Sequence, residues 1–101
     1  MICIRTDLKL SSQEMLQKAA RIVIRCISEA KKVDPNLRAY LCSGCAKISL
    51  KVNSEDQIDR LASHASEIGL LSILDQDKAV LGIGPAKAEE IDKVTRKLKL
   101  F

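Results

Sequence analysis

The run LDQDKAVLGIGPA, residues 74–86, limits the folds open to this 101-residue chain more than any other. Two apolar stretches suited to strands, residues 70–74 and 79–83, stand only the four residues DQDK apart. Parallel neighbours need a crossover of about a dozen residues or more, so this pair has to form an antiparallel hairpin. Any sheet built by this chain therefore contains at least one antiparallel step.

The remaining segments read as alternating strands and helices. MICIR is a short apolar strand running into the polar turn TDLKLSS. Ser11 with Glu14 makes a capping box, which starts a long helix over residues 12–32. On a wheel of 100° per residue, Met15, Ala19, Ile22, Val23, Cys26, Ile27 and Ala30 form one apolar arc. Asp34-Pro35 opens a short helix that stops at Gly44. AKISLKV alternates strictly, with Ile48, Leu50 and Val52 on one face. Ser54 with Gln57 caps the next helix, whose Ile58, Leu61, Ala62, Ala65 and Ile68 share a stripe and which Gly69 terminates. A last helix begins after Pro85, with Glu89 and Glu90 early and Arg96, Lys97 and Lys99 toward its end, the order its dipole favours. The order β-α-α-β-α-β-β-α predicts an α/β fold. We expect a single three-layer domain over residues 1–101, a mixed sheet of about four strands with helices on both faces.

Composition narrows the functional classes. At 47% apolar and 30% charged residues, the chain is neither disordered nor membrane-like. Arg21 and Arg25 interrupt the best candidate for a membrane helix, and Arg5 and Asp7 rule the start out as a secretion signal. A cytoplasmic location is expected, with the four cysteines as free thiols. The net charge of +4 favours anionic partners such as RNA. Tyr40 and Phe101 are the chain's only aromatic residues, so nucleic acid would be held by its phosphates rather than by base stacking.

Four constellations could carry chemistry. Gly82-Ile83-Gly84-Pro85 looks like a phosphate loop, but Pro85 removes a backbone donor and Glu89 and Glu90 would repel an anion. It reads better as a strand end turning into a helix. Cys42 and Cys45 have a metal or redox spacing without suitable partners, since Cys3 falls in a strand and Cys26 in the apolar arc. No metal site is expected. His64 is the only histidine and flanks an apolar stripe, which suits a boundary position. On the long helix, Glu14, Lys18, Arg21, Arg25 and Lys32 share a polar sector. That sector either engages successive phosphates or is a solvated face on which Glu14 pairs with Lys18.

IRTDLK after the first strand, SGCAKISLKV, ASEIGL and above all VLGIGPAKAEEIDKVTRKLKLF resemble the type 2 peptidyl-tRNA hydrolases, over essentially the whole chain. The resemblance implies a mixed four-stranded sheet and metal-independent cleavage of the ester joining a peptide to the 3′ end of tRNA. Neither cofactor nor metal is implied. The family carries a lysine, a glutamine and a histidine at the positions of Glu14, Lys18 and Arg21. Its third strand ends in an aspartate, followed by a loop with a functional threonine. Asp77 can take the aspartate position, while the loop is missing. On this basis the expected catalytic residues are Asp77 and Lys18, and the expected tRNA contacts are Lys9, Lys18, Arg21 and Arg25. The implied partner is tRNA or peptidyl-tRNA, with the ribosome and a homodimer left open. The alternative is a non-catalytic relative that binds tRNA, a ribosomal surface or a protein.

Overall fold

The computed structural model describes residues 1–33 and 48–100. The expected short helix before Gly44, with the pair Cys42 and Cys45, lies outside them. The elements are β1 (Ile2–Arg5), α1 (Ser12–Val33), β2 (Ser49–Val52), α2 (Glu55–Glu67), β3 (Ser72–Leu74), β4 (Val80–Ile83) and α3 (Ala88–Thr95). The strands form one mixed sheet in the order β2-β1-β4-β3. β1 and β2 are parallel, whereas β4 runs antiparallel to both β1 and β3. The hairpin required by the short DQDK connection is therefore present.

Capping fixes where the helices begin. Ser11 Oγ accepts the Glu14 N–H at 3.1 Å, and Glu14 Oε1 accepts the Ser11 hydroxyl at 3.0 Å. Ser54 Oγ likewise accepts from Gln57 N–H at 3.1 Å, while Gln57 Oε1 takes the Asn53 N–H at 2.7 Å. Each box satisfies backbone donors that a helix start would otherwise leave open. α2 gives way to a turn in which Gly69 adopts φ +81°, a left-handed conformation with little cost for glycine.

Strand alternation divides the core in two. Ile2, Ile4 and Val80 pack with Ile22 and Cys26 of α1. Cys3, Leu50, Val52, Leu81 and Ile83 pack with Ile58 and Ala65 of α2 and Ile91 and Val94 of α3. Because neighbouring strand residues point oppositely, α1 covers one sheet face and the shorter helices the other. Burying a side chain such as Ile22 or Ile58 stabilises the fold by roughly 1.5–3 kcal/mol each.

Gly82 sits inside β4, beneath α1. A Cβ there would collide with Ile22 Cγ2 and lie 2.7 Å from Cys26 Sγ. The glycine lets the helix settle onto the strand, so its role is packing rather than a phosphate cradle. Gly84, with φ +104°, then turns the chain out of the sheet.

Two expectations are corrected. Ile48 does not continue the inward face of β2 but is 48% exposed, because the ladder with β1 starts one residue later, at Ile2 and Ser49. α3 stops at Thr95, whose hydroxyl donates back to Ile91 O at 3.1 Å. Arg96, Lys97 and Lys99 consequently follow the helix instead of ending it. Residues 99 and 100 run along β2, where Lys51 N–H donates to Lys99 O at 2.9 Å and Leu50 bridges Leu100. Among the described residues, no helix is long and apolar enough to cross a membrane.

Candidate active site

The β3–β4 connection is a tight turn. Lys78 N–H donates to Asp75 O at 2.9 Å and Asp75 N–H to Val80 O at 2.9 Å, so residues 75–78 close on themselves. Lys78 has φ +54°, an uncommon conformation for a side-chain-bearing residue. Three anchors hold it there. Its carbonyl accepts Arg5 Nη1 at 3.3 Å, and its ammonium reaches Asp59 Oδ2 at 3.3 Å and Glu55 Oε1 at 3.9 Å.

Lys18 leans onto this turn from the second turn of α1. Its Nζ donates to Asp77 Oδ2 at 2.7 Å and lies 3.4 Å from Asp75 Oδ2. The hydrogen bond it donates to Asp77 raises the Lys18 pKa first, against some desolvation, and the Asp75 charge adds to it. The same bond lowers the Asp77 pKa. Lys18 is thus a fully charged ammonium held between two carboxylates near neutral pH. The pairing of Glu14 with Lys18 is absent, since Glu14 is taken by Ser11 and Lys18 faces two aspartates at once.

The two aspartates differ in setting. Asp75 directly follows the last residue of β3 and is 8% exposed, whereas Asp77 lies in the turn with its side chain 69% exposed. The residue at the end of the third strand is therefore Asp75, which sequence reasoning passed over. The available signal was the strand ending itself, because an apolar run that stops at Leu74 leaves Asp75 as the first polar group past the sheet.

Arg5 and Asp7 form the neighbouring wall through two bonds, Nε to Oδ1 at 2.9 Å and Nη2 to Oδ2 at 2.7 Å. This fork raises the Arg5 pKa and lowers that of Asp7. Beside it, Thr6 Oγ1 lies 3.2 Å from Val52 O and 3.3 Å from Asn53 Oδ1. Taken together the edge is acidic. Asp7, Asp75, Asp77, Asp59 and Glu55 stand against Arg5, Lys18 and Lys78.

Depressed carboxylate pKa values set the sign of the pH response. Asp7 and Asp77 bind protons less readily folded than unfolded, so their contribution is present above the ordinary carboxylate range and lost as pH falls through the folded values. The melting temperature should be nearly flat from neutrality to about pH 5 and fall below about pH 4. Asp7→Asn should remove part of that acid-side slope, as thermal melts across pH would show.

Among the described residues, the other expected residues make no hydrogen bond or ion pair with this cluster. Arg21 and Arg25 are exposed on the outer side of α1, and Lys9 is exposed between β1 and α1 with φ +52°. His64 is exposed on α2 rather than at a core boundary. Cys3 and Cys26 are buried free thiols, and burial pushes the Cys3 pKa up to about 11. Among the described residues no three or more His, Cys, Asp or Glu side chains gather as a metal site.

A family model described as peptidyl-tRNA hydrolase PTH2 matches residues 1–101. The chain is 33% identical over 114 residues to "Probable peptidyl-tRNA hydrolase 2" of Dictyostelium discoideum, which covers 99% of this chain and 53% of that protein. It is 31% identical over 111 residues to "Peptidyl-tRNA hydrolase 2, mitochondrial" of Mus musculus, covering 99% of this chain and 61% of that one. To "Peptidyl-tRNA hydrolase" of Methanococcus vannielii it is 34% identical over 111 residues, covering 99% and 96%. The chain therefore spans little more than half of the first two relatives and nearly all of the third. In each, the matched stretch is longer than this 101-residue chain.

Proposed function

Since this chain belongs to the peptidyl-tRNA hydrolase PTH2 family, we propose that it cleaves the ester between a peptide and the 3′ end of tRNA. The reaction is assigned to the edge where Lys18 meets Asp75 and Asp77. The observation that carries this reading is the Lys18 ammonium, fixed 2.7 Å from Asp77 and 3.4 Å from Asp75 at the end of β3. Hydrolysis of an ester needs a group to direct water and a donor for the developing oxyanion. Asp75 is the better water-directing carboxylate, because it is buried and rigidly placed, and it takes the family's strand-end position in place of Asp77. Its carboxylate accepts a proton from the attacking water while the water oxygen bonds the carbonyl carbon. The bond to the ribose oxygen then breaks, and Asp75 returns the proton to that oxygen, which leaves as the 3′ hydroxyl while Asp75 is again a carboxylate. Lys18 supplies the positive donor toward the carbonyl oxygen, so its task partly replaces that of the family lysine whose place Glu14 occupies.

Incubation with a peptidyl-tRNA tests the proposal directly. Release of free peptide, lost in Lys18→Met, supports it. Tight binding of peptidyl-tRNA with no release above the uncatalysed rate would show the non-catalytic alternative to be correct. Arg21 and Arg25 are proposed to meet the tRNA backbone, so Arg21→Glu and Arg25→Glu should each weaken binding several-fold without changing the melting temperature. Filter binding at two salt concentrations would check this, and binding that ignores both changes and salt would remove α1 from the interface.

A further inference from the structure

The acidic edge poses a problem of affinity that the proposed reaction does not solve. Five carboxylates against three cations repel a polyanion, so the backbone of a tRNA needs phosphate contacts outside that edge, beyond the two offered by Arg21 and Arg25 of α1. A shallow open groove of about 490 Å³ lies between α2 and the end of α3. Its polar lining includes Arg60 and His64 from α2, with Lys93, Arg96 and Lys97 from α3 and the turn after it. No carboxylate lines it, and Leu61 and Val94 form part of its floor.

Spacing puts these charges in two facing rows. Lys93 on the last turn of α3 and Arg96 and Lys97 in the turn that follows it line one wall. Arg60 and His64 are four apart on the opposite wall. Lys93 shares its charge with Glu90 at 3.5 Å, whereas Arg96 and Lys97 make no ion pair among the described residues. All five side chains are exposed.

We infer that this groove is an RNA-backbone site, gripping the phosphates of tRNA on the sheet face opposite α1. Its lack of aromatic side chains suits phosphates rather than bases. This rests on the peptidyl-tRNA reading for its choice of RNA, but its test does not require hydrolysis.

Binding of deacylated tRNA, followed by fluorescence anisotropy, is the measurement. The double variant Arg96→Glu/Lys97→Glu should weaken binding about tenfold or more, and the slope of log affinity against log salt should become shallower by about two. The milder Arg96→Ala/Lys97→Ala should show the same trend and guards against misfolding, with melts confirming both. Lys87→Glu, an exposed change outside the groove, should stay within about twofold of the parent. Unchanged binding in the double variants, equal loss in Lys87→Glu, or no binding of tRNA by the parent would overturn the inference. Displacement of tRNA from the groove by polyglutamate at equal charge would also overturn it, in favour of an acidic protein partner. A protein that binds deacylated tRNA through the groove but releases no peptide overturns only the hydrolytic reading.

Discussion

Gly82→Ala is expected to lower the melting temperature by roughly 10 °C, the largest loss from an added methyl among the described glycines. The new Cβ collides with Ile22 Cγ2 and stands 2.7 Å from Cys26 Sγ, both on the face of α1 that rests on β4. Overpacking of this kind costs about 1–3 kcal/mol, and the helix is packed against three strands at once, so it cannot tilt away freely. Removing a glycine also restricts the unfolded chain, but that gain is only about 0.4–1 kcal/mol and does not reverse the sign. Two comparators isolate the cause. Gly69→Ala meets nothing within 4 Å, so it should cost only the strain of φ +81°. Ile22→Leu lacks the β-branch, and combined with Gly82→Ala it should recover part of the loss. Thermal or denaturant unfolding of the four proteins checks the account, and additive effects of the pair would refute a contact between residues 22 and 82.

Asp75→Asn is expected to reduce kcat by about 10²–10³ with the fold intact, since the amide keeps the shape but cannot accept the water's proton. Asp77→Asn should cost less than about tenfold, because its exposed side chain steadies Lys18 without facing a confined water. The ratio of the two effects is the informative quantity. A larger loss in Asp77→Asn would transfer the water-directing role to the turn. The two variants should also differ in kind. Loss of the Asp77 bond frees Lys18 and acts on KM and kcat together, while loss of Asp75 acts chiefly on kcat.

Local features of the chain were readable and distant ones were not. The Ser11–Glu14 and Ser54–Gln57 boxes, the left-handed Gly69 and the forced hairpin each depend on residues within a few positions of one another. Strand order is different in kind: that β1 lies between β2 and β4 is settled by which faces α1, α2 and α3 cover, and no spacing reports it. The same limit applies to the candidate site. Lys18 and Asp75 are separated by 57 positions, and the helical wheel places Lys18 only in a polar sector, because it cannot know that a hairpin turn rises beside that sector. The family resemblance matches Asp77 to the strand-end aspartate. Only the end of β3 at Leu74 distinguishes Asp75. The groove cations escaped for a related reason, because Arg96 and Lys97 read only as the dipole-favoured end of the last helix, and no spacing reports that α2 stands beside them.

The DQDK turn also tells how tolerant this edge is to change in length. Its two closing hydrogen bonds, Asp75 N–H to Val80 O and Lys78 N–H to Asp75 O, and its anchors at Arg5, Glu55 and Asp59 bind residues 75 and 78, leaving the backbone of Gln76 and Asp77 outside that lattice, with Asp77 tied through its side chain to Lys18. Residues inserted between those two would hang from a finished ladder. The entropy of closing a loop grows only with the logarithm of its length, so lengthening it threefold costs roughly 1 kcal/mol. A stretch as long as a second small hairpin could thus be gained or lost at this point while β3 and β4 kept their register. Thermodynamically, the rim of the sheet is a splice point, where insertion and deletion lie on almost level ground.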